Sequence, residues 1–341
     1  MKLITFAIPS YNAASYLNHC VDTLLTAGEE AEIIIVNDGS TDATAAIADG
    51  YAARYPSIVR VVHKANGGHG SGVNKGLELA TGLYYKVVDA DDWLDAAALA
   101  TLLQTVRAHR AAGTAVDLYI TNYVYERMWD NTQYVQHYRK NMPKNVVFSW
   151  NAVKRFHTSR VLLMHSVVYR TEALRASGTV LPEHTFYVDN LFAYKPLPFM
   201  KSLYYLDIDM YRYFIGRPDQ SVTLVNIVKR YRQQQLVMRR MLEAYTYADI
   251  KKMNKGLRGY MLHDLNVIMV NTLMFTLGEQ TDERVESMRG LWQELKSRDP
   301  ALFAALKRRG YAVYVYMVPR PMRARVLLMG YKHFRRKLKL G

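Results

Sequence analysis

The chain has 341 residues, half of them apolar and 22% charged, which excludes a largely disordered polypeptide and suits two domains or one large α/β domain with an appendage. A single cysteine, Cys20, excludes intramolecular disulfides and multi-cysteine metal sites, so a reducing compartment is expected. The 45 Lys and Arg outnumber the 30 Asp and Glu for a net charge of +15. Eleven of those basic residues fall after residue 300 with no acid among them, so the first 300 residues hold 34 against 30, or +4, and offer no general nucleic-acid-binding surface.

Met1-Lys2-Leu3 leads straight into a strand, Leu3 to Ile8, without a signal-peptide pattern. The strand stops at Pro9-Ser10. Tyr16 to Thr26 reads as an amphipathic helix, with Tyr16, Leu17, Cys20, Leu24 and Leu25 at helical spacing and Cys20 therefore in the core. Glu32 to Val36 is a second strand, followed by the turn Asn37-Asp38-Gly39-Ser40, and Thr41 or Asp42 can cap the Ala-rich helix beyond it. Ile58 to Val62 is a third strand, broken by Asn66-Gly67-Gly68, and Ser71 to Leu79 makes the next helix. Tyr84 to Val88 is a fourth strand running into Asp89-Ala90-Asp91-Asp92, Ala96 to Ala111 is helical, and Val116 to Asn122 is a fifth strand. Residues 123–222 are irregular and Tyr-rich. Long helices follow from Val225, for example Ile227 to Tyr245 and Met261 to Leu277. The second of these carries the longest apolar stretch, Leu265 to Leu277, which Asn266, Asn271 and Thr272 interrupt and which is too short to span a bilayer.

This alternation predicts βαβ units on a mostly parallel, Rossmann-like α/β sheet flanked by helices, because parallel strands need crossovers. In such sheets the ligand crevice lies beyond the carboxyl ends of the strands. Tyr11-Asn12, Asp38-Gly39, Asn66-Gly67-Gly68 and Asp89-x-Asp91-Asp92 all follow strand ends, so they are expected to converge on one edge.

Each cluster has a chemical reading and a plain one. Three carboxylates within four residues repel one another unless a cation or donors offset them, which suits a hard divalent metal such as Mg or Mn with phosphate oxygens completing its shell. The plain reading is an acidic turn in which Asp92 or Asp95 caps the following helix. The run Asn66-Gly67-Gly68-His69-Gly70-Ser71-Gly72 matches neither G-x-G-x-x-G nor G-x-x-x-x-G-K-[ST]. What survives is a glycine loop opening a helix, whose N–H groups can approach an anion with Lys75 nearby, or a flexible turn. Asp38 can accept an N–H from a nucleobase while Tyr11 offers a stacking face, or it lies in a solvated turn. No histidine pair has the H-x-x-x-H or H-E-x-x-H spacing of a zinc site.

Taken together, Ile8-Pro9-Ser10-Tyr11-Asn12, Ile35-Val36-Asn37-Asp38-Gly39-Ser40-Thr41-Asp42, Asn66-Gly67-Gly68 and Asp89-Ala90-Asp91-Asp92 resemble the successive motifs of family 2 glycosyltransferases, nucleotide-sugar enzymes of the GT-A fold. The resemblance is close over residues 3–125 and looser to 222. It implies that Pro9, Tyr11 and Asp38 hold the base of a uridine-type nucleotide, within a nucleotide-binding set that includes Asn12, Gly39, Asn66 and Gly67. It places Asp89 near the ribose and metal, and Asp91 on an Mn or Mg that bridges the diphosphate, with Asp92 beside them. Val73-Asn74-Lys75 stands where the family often has Arg-Asn, so Lys75 takes the place of the Arg. An inverting member needs a base for the acceptor hydroxyl proton, about a hundred positions after the metal motif. Asp189, in Phe186-Tyr187-Val188-Asp189-Asn190, is the residue the resemblance implies, although Val188 stands where a Glu is usual and a structural carboxylate is the alternative. Arg212 and Arg217, in Tyr211-Arg212-Tyr213 and Gly216-Arg217-Pro218-Asp219-Gln220-Ser221, resemble the segment near the diphosphate. The processive Gln-x-x-Arg-Trp motif is absent, which suits transfer of one or a few residues.

The expected organisation is a catalytic domain at 1–222, with a nucleotide-sugar half at 1–125 and an acceptor half at 126–222, then a helical region at 223–310 and a basic tail at 311–341. The expected activity is transfer of a hexose or N-acetylhexosamine from a UDP-sugar to a glycan or lipid-linked acceptor. A sugar nucleotidyltransferase and a non-catalytic glycan- or membrane-binding protein are the alternatives. The expected location is cytoplasmic, peripheral on the inner face of the membrane, with residues 318–341 on an anionic surface, no nucleic-acid partner and oligomerisation open. For the tail, a helix packed on the body with a solvated charged face is the competing reading.

Overall fold

In the computed structural model the described residues are 1–127, 131–157, 160–216, 223–279 and 281–310, with 318–319, 321–322, 325–327 and 329–330 of the tail. They fall into two compact units, one of residues 1–127, 131–152 and 162–214, the other of residues 153–161 and 215 onward. The expected boundary at 222 lies among residues 217–222, outside the described set.

The first unit is built on a ten-stranded sheet. Its strands are β1 (Ile4–Ser10), β2 (Ala31–Asn37), β3 (Val59–His63), β4 (Tyr84–Val87), β5 (Trp93–Leu94), β6 (Leu118–Arg127), β7 (Gln133–Gln136), β8 (Val147–Phe148), β9 (Val167–Arg170) and β10 (Leu203–Ile215, whose last residue enters the second unit). The order is β3-β2-β1-β4-β9-β6-β10-β5, with β7 on β6 and β8 on β10. Parallel pairing joins β3, β2, β1 and β4, whereas β9 pairs antiparallel with both β4 and β6, and β5 and β8 pair antiparallel with β10. Every residue of β1 and β2 is buried, which is why both strands read as unbroken apolar runs rather than alternating ones.

Helices α1 (Leu17–Leu25), α2 (Thr44–Arg54), α3 (His69–Leu79) and α4 (Ala96–Ala111) connect these strands, and the short α5 (Thr171–Ala176) and α6 (Asp189–Tyr194) follow β9. Asp95 caps α4 by accepting the Ala98 N–H at 3.0 Å. The cap expected for α2 takes a different form: Asp42 lies two residues before the helix and accepts from the N–H of Thr44, its first residue, at 2.9 Å. α3 lies tight on the sheet because Gly76 has no side chain; a Cβ there would come within 2.5 Å of the Ala7 Cβ.

The second unit is helical: α7 (Leu224–Lys229), α8 (Tyr231–Ala244), α9 (Tyr247–Lys252), α10 (Lys255–Leu277), α11 (Asp282–Arg298) and α12 (Pro300–Arg309). The single helix expected from Ile227 to Tyr245 is two, because Arg230 leaves helical geometry at φ −96°, ψ 22°. α8 packs on α10, where Gln234 and Gln235 donate to the buried hydroxyls of Thr272 and Thr276. Among the described residues no helix is long and apolar enough to cross a membrane.

Candidate active site

The strand register fixes where the loops meet. Ser10 pairs with Asn37 and Asn37 with His63, so β1, β2 and β3 end level with one another. The segments after them, together with the acidic turn after β4, therefore open on the same edge of the sheet, as the sequence predicts.

At this edge Asp38 is 3% exposed and engages both carboxylate oxygens. Oδ1 accepts from Lys64 Nζ (2.7 Å) and the Gly67 N–H (2.9 Å), and Oδ2 from the Gly68 N–H (2.7 Å). The sequence reading offers these N–H groups to a bound anion; in the structure the anion they serve is Asp38. Lys64, which sequence reasoning missed, also donates to the Ala65 carbonyl (2.6 Å) and to Ser71 Oγ (2.9 Å), and so ties β2, the glycine loop and α3 together. Asn66 Nδ2 donates to the Asp38 carbonyl at 2.9 Å, and a Cβ on Gly39 would lie 2.9 Å from the Asn66 nitrogen. Pro9 is buried at the end of β1, and Tyr11 after it is 55% exposed, free to present a ring face. Asn12 takes a positive φ of 49° and accepts the Thr41 N–H at 2.8 Å, which binds the first strand-end loop to the second.

The cationic side chains expected near a diphosphate are partnered within the chain. Lys75 pairs with Glu78 at 2.7 Å. Arg212 is held between Glu126 and Asp95, both at 3.0 Å. Arg217 lies outside the described residues.

The acidic turn is more organised than its sequence suggests. Asp89 Oδ1 and His69 Nε2 are 2.7 Å apart. Burial alone would raise the Asp89 carboxyl, but the His69 contact, aided by His165 and Lys86, outweighs it and holds Asp89 below the usual range. Asp92 is 1% exposed, and its carboxylate accepts the Tyr211 hydroxyl (2.6 Å) and the Phe214 N–H (2.8 Å). Burial, reinforced by Asp91 and Asp89, pushes its pKa well up. Oxygens of Asp89 and Asp92 and a ring nitrogen of His165 all lie within 4.8 Å of one another. Asp91 is half-buried beside this group and is not one of its three members.

His165 was not legible in the sequence; it precedes β9 and shares no spacing with the acidic motif. Its ring is buried against Tyr211 and Tyr213, at centroid distances of 4.6 and 4.5 Å. Burial drives its pKa down to about 4, so it is neutral, the form of imidazole that binds metals. Its Nδ1 is buried without a hydrogen-bond partner. Two carboxylates and one neutral imidazole, one of whose nitrogens is without a hydrogen-bond partner, are a donor set that fits a divalent cation.

Asp189 opens α6 and reaches the same neighbourhood through the segment before it. Asn74 on α3 clamps that segment by donating to the Leu181 carbonyl (2.8 Å) and accepting the Leu181 N–H (2.9 Å). The His184 N–H donates to the Gly67 carbonyl at 2.6 Å, and a Cβ on Gly70 would lie 2.7 Å from the Pro182 carbonyl oxygen. The glycine loop is thus a seat for residues 181–184. Burial raises the Asp189 carboxyl to about 6, with His69 opposing the shift and Asp89 adding to it. His69 in turn feels both acids: burial disfavours its charged form, but Asp89 first, then Asp189 and Asp91, raise its pKa above the ordinary value. One histidine therefore links the metal-type carboxylate to the carboxylate expected to act as base.

The family model for glycosyl transferase family 2 matches residues 5–173. The chain is a member of that family. It is 28% identical over 331 residues to the putative glycosyltransferase EpsH of Bacillus subtilis, covering 91% of this chain and 88% of that one. Among solved structures it is similar to residues 1–349 of Staphylococcus aureus TarS in complex with UDP-GlcNAc, with a TM-score of 0.67, 18% identity and coverage of 98% and 92%. It is also similar to the mannosyltransferase PcManGT of Pyrobaculum calidifontis in complex with GDP-Man and Mn2+, with a TM-score of 0.51, 16% identity and coverage of 95% and 84%. The fold is GT-A, and the chain is an enzyme that transfers sugars.

Proposed function

We propose that this glycosyltransferase moves a hexose or N-acetylhexosamine from a UDP-sugar to a glycan or lipid-linked acceptor with inversion, assisted by Mn or Mg. The observation that carries this reading is the meeting of two carboxylate environments around His69: Asp89, kept ionised beside Asp92 and His165, and Asp189, raised to about 6. Groups pushed apart in this way take different roles in one reaction. TarS with UDP-GlcNAc and PcManGT with GDP-Man and Mn2+ support a nucleotide-sugar donor and a divalent metal.

In the proposed mechanism Tyr11 stacks on the nucleobase, while Asp38, Asn66 and Lys64 fix the loops that form its pocket. Asp89, Asp92 and His165 would hold the metal, with Asp91 beside them. A divalent cation there supplies Lewis-acid stabilisation of the negative charge developing on the leaving diphosphate. Asp189 accepts the acceptor hydroxyl proton as that oxygen attacks the anomeric carbon from the face opposite the diphosphate. A pKa of about 6 lets Asp189 be ionised at neutral pH and still basic enough to take the proton.

The test is calorimetric titration of the full chain with UDP and UDP-GlcNAc in the presence of MnCl2, followed by product analysis. Release of UDP from UDP-GlcNAc supports a glycosyltransferase using this donor, whereas release of pyrophosphate in a parallel reaction of UTP with a sugar 1-phosphate would indicate nucleotidyl transfer, and no nucleotide binding would overturn the donor assignment. We also propose that the tail seats the enzyme on an anionic membrane. Met322, Val326 and Met329, at helical spacing, are 54%, 40% and 57% exposed, and eight Lys or Arg lie between residues 318 and 341.

A further inference from the structure

A row of tyrosines leaves the acidic turn along one face of the sheet. Side chains two residues apart on a strand share a face, so Tyr211 and Tyr213 of β10 lie on one side, as do Tyr123 and Tyr125 of β6. Tyr134 of β7 pairs directly with Tyr125. The ring of His165 is 4.5 Å from that of Tyr213, Tyr213 is 5.5 Å from Tyr125, and Tyr125 is 6.1 Å from Tyr134. These rings form an unbroken sequence that begins at a member of the candidate metal cluster and ends on the outer strand β7. Tyr213, Tyr125 and Tyr134 are each half-buried, so the row is recessed with part of each side chain at the surface.

The row is continuous with the transfer centre by charge as well as by contact. The Tyr213 hydroxyl feels Asp92, Asp91 and Asp89, and its other strong neighbour is Tyr125. The Tyr123 and Tyr125 hydroxyls are 3.3 Å apart, a polar pair set within the apolar rings. Ring surfaces that can meet C–H groups, interleaved with hydroxyls that can donate or accept, match the mixed apolar and hydroxyl-bearing surface of a pyranose ring. Successive rings are tilted by 42° and 38°, and the ring spacing is close to the length of one sugar residue.

We propose that Tyr213, Tyr125 and Tyr134 form the platform that seats the acceptor glycan, with its terminal sugar at Tyr213 beside the transfer centre and the preceding residues on Tyr125 and Tyr134. The inference rests on the glycosyltransferase reading above and names the acceptor class for it: a saccharide chain, held through its ring faces. It predicts that aromaticity matters more than the phenol at Tyr125 and Tyr134.

The experiment uses the full chain with saturating UDP and MnCl2 on a printed array of bacterial surface oligosaccharides, with UDP affinity measured in parallel by calorimetry. The expected result is retention of at least one oligosaccharide, weakened tenfold or more by Tyr125→Ala and by Tyr134→Ala and restored by Tyr125→Phe, while UDP affinity stays within twofold of the parent. Tyr134 lies on β7 away from the main core, so Tyr134→Ala reports on the platform even where Tyr125→Ala does not fold. A chain that binds UDP but retains no oligosaccharide, or whose retention survives both alanine substitutions, overturns the platform and leaves the glycosyltransferase reading standing. A chain that binds no UDP fails at the donor site instead.

Discussion

Lys86 and His165 are joined by a hydrogen bond between a fully buried ammonium and a backbone carbonyl: Lys86 Nζ donates to the His165 oxygen at 2.8 Å. The same nitrogen reaches the Val167 carbonyl at 3.4 Å and lies 4.9 Å from the centre of the Tyr211 ring. Tyr211 donates to Asp92 and accepts the Asp89 N–H, so one lysine braces the turn that presents His165 and the ring that orients the acidic turn. Burial pulls its pKa down to about 7, with Asp89 and Asp92 pulling the other way.

Replacing this lysine by an apolar side chain leaves two buried carbonyls short of a donor. Lys86→Met is expected to lower stability by about 1–3 kcal/mol in urea denaturation. If the lysine acts through His165, Mn2+ affinity also falls, by about 10- to 100-fold, as happens when groups that orient metal ligands are removed. Lys86→Met that is destabilised but binds Mn2+ as tightly as the parent would reduce Lys86 to a packing residue.

The metal ligands can be separated by the same titration. The family resemblance points to Asp91, whereas the geometry gathers Asp89, Asp92 and His165. His165→Ala is expected to weaken Mn2+ binding at least tenfold, and Asp91→Asn to abolish transfer with the fold intact. Parent-level Mn2+ affinity in His165→Ala would return the site to the acidic turn alone.

For Asp189 the expectation is a loss of turnover without a loss of donor. Asp189→Asn should reduce kcat by about 10²–10⁴-fold, the range typical of a positioned base, and leave UDP affinity unchanged. Transfer by the parent should fall below about pH 6 as Asp189 takes up a proton, with His69 and Asp89 the charged groups that set this value. Stability runs in the opposite direction. A carboxyl raised from 3.8 to about 6 binds its proton more tightly folded than unfolded, so its contribution falls as pH rises from near 4 through 6. Relative to Asp189→Asn, the parent should therefore lose stability over that interval. A flat difference across it would mean that the carboxyl titrates normally.

The parallel half of the sheet and the convergence of four strand-end loops were legible because fully buried strands are unbroken apolar runs and turns carry Gly, Asn and Asp. His69, Lys64, Lys86 and His165 were not, for different reasons. His69 lay inside a glycine run that drew attention to phosphate, yet the loop's N–H groups are given to Asp38. Lys86 sits in a strand where a lysine looks like a solvated side chain, and its partner is 79 residues away. Partnerships of that range depend on which strands become neighbours, and the antiparallel insertion of β9 between β4 and β6 is not written in local periodicity.

Gly70 offers a test of the seat beneath Asp189. Gly70→Ala would put a Cβ 2.7 Å from the Pro182 carbonyl, which is backbone and has to shift. Asn74→Ala removes both hydrogen bonds to Leu181. Each is expected to cost about 1–3 kcal/mol and to lower kcat, because the displaced segment leads to Asp189. Limited proteolysis should show faster cleavage between residues 178 and 188. Parent-level kcat in both variants would show that residues 181–184 do not position the base.

The tail is the last point of attack. Met322, Val326 and Met329 present a stripe of exposed apolar side chains at a spacing of four and three residues, the signature of one helical face, while Leu327 is buried. Residues 320, 323–324, 328 and 331–341 lie outside the described set, so seven of the eight basic side chains are known from sequence alone. A basic segment with exposed apolar side chains would be drawn to the headgroup region of an anionic bilayer, gaining about 1 kcal/mol per Lys or Arg near the surface, and the attraction is screened by salt. Deleting residues 318–341 should therefore abolish sedimentation with vesicles containing an anionic phospholipid, while leaving transfer to a short soluble acceptor within twofold of the parent. Replacing Met322, Val326 and Met329 by serine should weaken vesicle binding with the charge unchanged, which separates insertion of the stripe from electrostatic attraction alone. Binding by the truncated chain equal to that of the full chain, or no binding by the full chain at low salt, would assign the tail to packing against the protein and not to the membrane.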